Sequence, residues 1–374
     1  MNVRDYKTVS ERREALGKEL RVDMKNIGSF TLDETVASTR NCENMIGVTQ
    51  VPLGIAGPLR IAQTDYFIPL ATTEGALVAS VNRGCKAITA SGGAAVDSYR
   101  VGATRGPVFK VKNIEENKKL YEFLETHVEE LRKIAGQTSK HIYLEKLTFR
   151  GVGHYRYIRF VFNTQDAMGM NMVTIATQKL VEFIETKTFC RCISLAGNYD
   201  VDKKPSWLNV IEGRGIKAWA EVTIPGRILA GVLKTTAQNM YDVWLAKCMV
   251  GSAISGSMAF NAQFANVVAA IFLATGQDVA HVVEGSLGMT TTEIMNRKNL
   301  YVSVYLPDLM VGTVGGGTGL ATQQEALKLL GIEHSKKFAE IIAGAVLAGE
   351  ISLLASLAEG SLSRAHKALA RGGK

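Results

Sequence analysis

The chain is short of cysteine, and its five, Cys42, Cys85, Cys190, Cys192 and Cys248, are scattered, odd in number and without a CxxC pair. That excludes a disulfide framework and fits a reducing, cytoplasmic compartment. The six histidines form no HExxH or other compact ligand set, so no metal is expected. Asp278, His281 and Glu284 are spaced three apart, but do not by themselves close a ligand shell. No block of lysine and arginine and no aromatic-interleaved basic run is present, which argues against a nucleic-acid partner. The net charge of +8 and pI near 9.1 instead suit an anionic small molecule. The N-terminal MNVRDYKTVSERREALGKEL lacks the apolar stretch of a signal peptide and reads as an exposed amphipathic helix. The most apolar run, IIAGAVLAGEISLLASLA, is divided by Glu350 and falls short of the roughly 20 clean residues of a bilayer span. A buried helix is expected there, with no membrane partner. Internal repeats and low-complexity segments are also missing.

With 374 residues, 47% hydrophobic and 21% charged, the chain can bury a full core and hold two domains, one inserted in the other. Residues 107 to 187 have their own rhythm: an apolar stretch at Val108 to Val111, the helical IEENKKLYEFLETHVEELRKIAG, the β-like HIYLEKLTF and HYRYIRFVF, then a helix after Asp166. That βαββα order predicts a small sheet with helices on one face. Glycine, alanine and small polar residues dominate either side, as in closely packed helices.

Several segments carry candidate chemistry, each with a plain alternative. GTVGGGTG follows the β-like YVSVYLPDLMV and could cradle an anion on glycine NH groups, or be an ordinary loop; it does not match GxGxxG. DAMGMNM puts Asp166 at a helix start, as an N-cap or as part of a nucleotide phosphate site. Glu74 in TTEGA and Asp278, ending the apolar NVVAAIFLATGQ, are carboxylates facing desolvation; they either cap helices or meet and share a proton. Lys203 in DKKP reads as a solvated loop lysine or as a donor to a developing oxyanion. His366, near the glycine-rich C-terminus, could be carried into a site by a mobile tail, or lie on the surface.

Taken jointly, ENMIGVTQVPLGIAGPL (43–59), PLATTEGALVASVNRGCKAI, TRGPV, DAMGMNM, GNYDVDKKP with IEGRG, VGSAISGS with NAQFAN, GQD and GTVGGGT resemble, in this order, the 3-hydroxy-3-methylglutaryl-coenzyme A (HMG-CoA) reductase family. The resemblance spans roughly residues 40 to 370 and points to the eukaryotic and archaeal class, without a membrane anchor. It implies reduction of HMG-CoA to mevalonate by two NADPH. Lys203 is then the oxyanion donor, His366 the acid for the CoA thiolate, Glu74 the acid for the aldehyde oxygen, and Asp278 the group that sustains Glu74.

The same resemblance implies that Arg105, Asp202, Lys204, Lys247 and Asn266 hold the HMG portion, and that Ser80, Arg83 and residues 43 to 59 meet CoA. Asp166, Met168, Gly169, Met170 and Asn171, with Gly315, Gly316, Gly317 and Thr318, would hold the nicotinamide nucleotide. Ser139 and Lys140 would hold its 2'-phosphate, Lys standing for the usual Arg. Ala196 and Ala365 occupy positions where relatives often have serine, and no serine follows shortly after His366 for phosphorylation. The expected fold is α+β: an N-terminal helical segment (1–40), a large, mainly helical substrate domain (41–106 and 194–374) and an inserted ferredoxin-like NADP-binding domain (107–193). Residues 194 to 206 form the loop presenting Lys203, and a homodimer, or a dimer of dimers, is implied. Two rivals stand beside this reading: an acyl-CoA reductase using a Cys85 or Cys248 thioester, and a CoA-binding protein without catalysis.

Overall fold

The computed structural model describes residues 5–188 and 190–360. Its strands, in chain order, are β1 Leu53–Ile61, β2 Thr64–Ala71, β3 Ala95–Arg105, β4 Val108–Lys110, β5 Tyr143–Val152, β6 Tyr155–Asn163, β7 Arg191–Ser194, β8 Arg214–Ile224, β9 Ala259–Phe260, β10 Gly288–Met295 and β11 Asn299–Leu309. β1 and β2 form a separate antiparallel hairpin, while the other nine build one sheet in the order β7-β4-β6-β3-β8-β11-β10-β9, with β5 beside β6. β3 joins its two parts. Residues 95 to 102 pair antiparallel with β8, and after a register shift residues 103 to 105 pair with β6, whose next stretch pairs with β4.

Each part of the sheet has its own core. The smaller gathers Phe109, Leu120, Leu131, Ile158, Phe160, Phe162, Val173 and Leu180, from β4, β6 and helices Ile114–Thr126, Val128–Gly136 and Met170–Thr188. The larger surrounds helix Ser335–Glu359, which packs on β8, β3, β11 and helix Leu77–Ala90. This is the apolar helix expected from the sequence, and it is buried over most of its length. It is long and apolar enough to cross a membrane, but its apolar side chains pack inside the core. Glu350 at its centre is fully buried and accepts from Ala262 N at 2.8 Å, Gln263 N at 2.7 Å and Thr290 Oγ1 at 2.6 Å. Three donors are what make a buried carboxylate tolerable.

The expected N-terminal helix is Val9–Leu20, closed by a capping box in which Thr8 and Glu11 exchange hydrogen bonds. The larger part sets its helices against a floor of strands. β8, β10 and β11 form its floor, and in RGIKAWAEVTI buried and less buried residues alternate along β8 as the pleat requires.

Candidate active site

The segment AGNYDVDKKP turns sharply, with left-handed φ at Asn198 (62°), Val201 (51°) and Lys203 (55°). For a β-branched valine this is strained backbone, kept only because its surroundings hold it. Buried Asn209 donates to Val201 O at 3.0 Å, and Thr104 Oγ1 donates to Asp200 O at 2.8 Å. The turn projects Lys203 Nζ onto Asp278 Oδ2 at 2.7 Å, while Lys203 N donates to Glu284 Oε1 at 3.1 Å.

Asp278 comes from the turn after helix Phe264–Thr275, which ends at left-handed Gly276. Of the alternatives open to it, the cap holds: Asp278 caps the turn after that helix, accepting from Ala280 N at 3.1 Å. Burial pushes its carboxyl up, but the hydrogen bond from Lys203, the Ala280 NH and the charges of His281 and Lys203 outweigh burial and hold it below the ordinary carboxylate range. Asp278 is therefore an anion beside an ammonium, and its partner is Lys203 and not Glu74. Glu74 lies exposed between β2 and helix Leu77–Ala90, its backbone NH bonded to Thr72 Oγ1 at 2.9 Å. Its carboxylate has no hydrogen bond or ion pair among the described residues. His366 and Ala365 lie outside the described residues.

The two nucleotide candidates meet beside this pair. Thr313 N donates to Asp166 O at 2.8 Å, and Ala167 bridges to Val314. A side chain at Gly312 would stand 2.5 Å from Met168 N, so only glycine allows the approach. Gln277, next to Asp278, clasps Gly312 from both sides, accepting from its NH at 2.9 Å and donating to its carbonyl at 3.0 Å. Gly315 and Gly316 have positive φ and open space where a Cβ would be, leaving a backbone cradle ahead of Thr318. The helix of DAMGMNM starts at Met170, so Asp166 is not its N-cap. Asp166 instead accepts from Ser335 N at 2.8 Å and Ser335 Oγ at 2.9 Å, fixing the start of the long buried helix. Ser139 and Lys140 sit nearby, because His141 Nδ1 lies 2.8 Å from Gln165 Oε1.

Other candidates divide. Arg105 pairs with Asp200 at 3.3 Å and reaches Asp202 at 3.9 Å, at the edge of the Lys203 turn. Lys204 is exposed, its Nζ 3.5 Å from Asp202 O. Lys247 and Asn266 lie elsewhere: Lys247 is exposed on the π-helical stretch Leu245–Gly251, and its charge acts on Glu350, which anchors the loop leading to Asn266. Ser80 Oγ donates to Ser352 Oγ at 3.0 Å, and Arg83 Nη2 donates to Ser352 O and Ser356 Oγ, both at 2.5 Å, so this pair clasps the end of the buried helix.

Beneath Lys203, Asp202, His281 and Glu284 gather round Arg214, the one member that the sequence does not single out. Arg214, fully buried, reaches Glu284 Oε1 and Asp202 Oδ1, each at 2.7 Å, and His281 Nδ1 is 2.7 Å from Glu284 Oε1. The only sequence signal was IEGRG, where Arg214 had no assigned role. Asp202, His281 and Glu284 come close enough to hold a metal ion, but Arg214 already occupies both carboxylates. The donor set therefore fits an ion-pair cluster better than a cation.

The family model for hydroxymethylglutaryl-coenzyme A reductase matches residues 8–371. The chain belongs to this family. It is 48% identical to the 3-hydroxy-3-methylglutaryl-coenzyme A reductase of Methanothermobacter thermautotrophicus, covering 96% of this chain and 93% of that one. It is also 48% identical to the enzyme of that name from Methanocaldococcus jannaschii, covering 96% and 92%. In fold it is similar to the class II 3-hydroxy-3-methylglutaryl-CoA reductase of Streptococcus pneumoniae, solved bound to NADPH, with a TM-score of 0.71, 20% identity and coverage of 94% and 97%.

Proposed function

We propose that this chain reduces HMG-CoA to mevalonate and free CoA with two NADPH. The observation that carries this reading is the convergence of the Lys203–Asp278 pair with the DAMGM and GTVGGG turns through Gln277 and Gly312. When bound, NADPH supplies one hydride to each half-reaction. The open cradle at Gly315 and Gly316 and the cation of Lys140 suit a phosphorylated dinucleotide. Asp166, Met168, Gly169, Met170 and Asn171 line the facing turn, with Gly317 and Thr318 completing the cradle and Ser139 beside Lys140.

In the first half-reaction the thioester carbonyl becomes an oxyanion, which the Lys203 ammonium stabilises while Asp278 holds it in place. The C–S bond then breaks as the carbonyl re-forms, and His366 protonates the thiolate. In the second, the aldehyde oxygen takes a proton from Glu74. Arg105, Asp202, Lys204, Lys247 and Asn266 hold the HMG portion, and Ser80 and Arg83 meet CoA. Glu74 makes no contact with Lys203 within one chain, so its role rests on a substrate spanning both.

The identity to archaeal relatives, against 20% to the class II structure, favours the eukaryotic and archaeal class. Residues 107–193 read as an inserted ferredoxin-like NADP-binding domain, in keeping with the antiparallel order β7-β4-β6-β5 and the separate small core. We read the protein as cytoplasmic and as a homodimer, in which Lys247 and Asn266 complete a neighbouring site. A cysteine-thioester mechanism is disfavoured: Cys85 and Cys248 are fully buried, and burial pushes both thiols up to about 12. The test is NADPH oxidised per thiol released from limiting HMG-CoA. Two per thiol with mevalonate formed is expected; one per thiol would mean release of an aldehyde, and none would favour a binding protein.

A further inference from the structure

The Lys203–Asp278 pair rests on a histidine with one committed nitrogen and one free. Arg214 pins Glu284, and Glu284 Oε1 receives His281 Nδ1 at 2.7 Å. A carboxylate accepts only, so Nδ1 carries the proton of that bond and the ring orientation is fixed. Nε2 then points 3.8 Å from Asp278 Oδ2 and 3.9 Å from Asp202 Oδ1. It is buried and has no hydrogen-bond partner among the described residues. A neutral ring would turn a lone pair toward two carboxylates; a ring protonated at Nε2 turns an N–H toward them.

The surrounding charges point the same way. On the element of His281 itself stand Asp278 and Glu284; the Lys203 turn adds Asp202 and Lys203, β8 adds Arg214, and β11 adds Asp308. Burial drives the Asp308 carboxyl well above the ordinary carboxylate range, which disfavours its anion. Arg105 is paired with Asp200 at 3.3 Å and stands farther, 3.9 Å, from Asp202. Asp202, Asp278 and Glu284 then face the two permanent cations of Arg214 and Lys203, and a proton on His281 offsets the third carboxylate.

We propose that His281 is a positioning residue for the Lys203–Asp278 pair: anchored through Nδ1 by Glu284 and Arg214, it carries a proton on Nε2 that keeps Asp278 anionic and aimed at Lys203. This rests on the reading that Lys203 and Asp278 serve the reduction. His281 touches no reacting atom. Loss of its proton leaves Asp278 facing a lone pair and loosens the ammonium that must meet the oxyanion.

His281→Asn keeps an amide donor near the Nδ1 position and deletes Nε2; His281→Gln places a neutral donor near the Nε2 position. With HMG-CoA and NADPH, His281→Asn is expected to lower kcat roughly 10- to 100-fold, the range for a misplaced catalytic group, with both KM values within about twofold. The wild-type to Asn ratio is expected to be largest where the ring carries both protons, up to neutral pH, and to shrink at higher pH where it does not. His281→Gln is expected to recover part of the loss without restoring that pH dependence. A variant with wild-type kcat, or a ratio constant across pH, would overturn the proposal, because a structural role scales the rate equally at every pH. Nitrogen NMR of labelled imidazole in the wild-type protein gives an independent test. Both ring nitrogens of His281 protonated at neutral pH is the expected result, and one bare nitrogen would refute the proposal even if the protein turned over nothing. Wild-type inactivity with a doubly protonated ring would sink the functional reading alone.

Discussion

Two fully buried acidic sites on neighbouring elements are treated in opposite ways. Glu350, inside the long helix, has three donors shared over its two oxygens. The cluster under Lys203 is left incomplete: among the described residues neither oxygen of Asp308 has a hydrogen-bond partner, and Glu284 Oε2 and His281 Nε2 have none. A buried charge that serves the fold is satisfied by backbone, whereas one that serves chemistry is satisfied mainly by other charges and keeps unmet valences. The strained Val201 and Lys203 backbone sits on the second cluster, as expected where geometry is maintained for function.

The largest effect that would sharpen this contrast is on Lys203. Lys203→Ala is expected to lower kcat by about 10²- to 10³-fold, the cost of losing one oxyanion donor, with little change in melting temperature. A wild-type rate would place the oxyanion elsewhere. Glu350→Ala should do the reverse. It strands Ala262 N, Gln263 N and Thr290 Oγ1, so calorimetry is expected to show a loss of roughly 3 kcal/mol or more. Unchanged stability would mean that the donors find other partners.

Asp308→Asn is the smallest effect and the most diagnostic of sign. Its folded carboxyl titrates above the ordinary value of 3.8, so the folded state keeps a proton that the unfolded chain loses. Its stabilisation is complete below the unfolded value and is lost as pH rises toward the folded one. The amide cannot ionise. The variant should therefore match wild type at acidic pH and gain on it by at most about 1.4 kcal/mol per pH unit above that, measured by denaturant unfolding. A variant that falls behind as pH rises would show Asp308 to be a stabilising anion.

How much of this was readable from sequence follows from the range of each interaction. GTVGGGTG as a loop after β11, HYRYIRFVF as a strand and the buried helix through Glu350 are local patterns, and they stand as expected. The cap alternative for Asp166 fails because an aspartate four residues before a helix only resembles a cap; its partner Ser335 is distant in the chain. The floor of strands was under-read although RGIKAWAEVTI alternates with period two, because the small residues around it suggested helix packing. Arg214 was invisible: one arginine opening a strand has no periodic signature, and its meaning comes from Glu284 and Asp202 meeting it in space. Lys203 and Asp278 were singled out through motif resemblance; their direct contact was not foreseen.

The most direct test is NADPH oxidation by Asp278→Asn, read together with its melting temperature. Asp278 and Lys203 are both more than a third exposed as side chains, so losing their pairing should cost the fold no more than about 1 kcal/mol. The account predicts a kcat roughly 100-fold lower in a protein that melts nearly as wild type does. A normal kcat, or a loss of rate matched by a collapse in stability, would contradict the claim that this pair is kept for chemistry and not for folding.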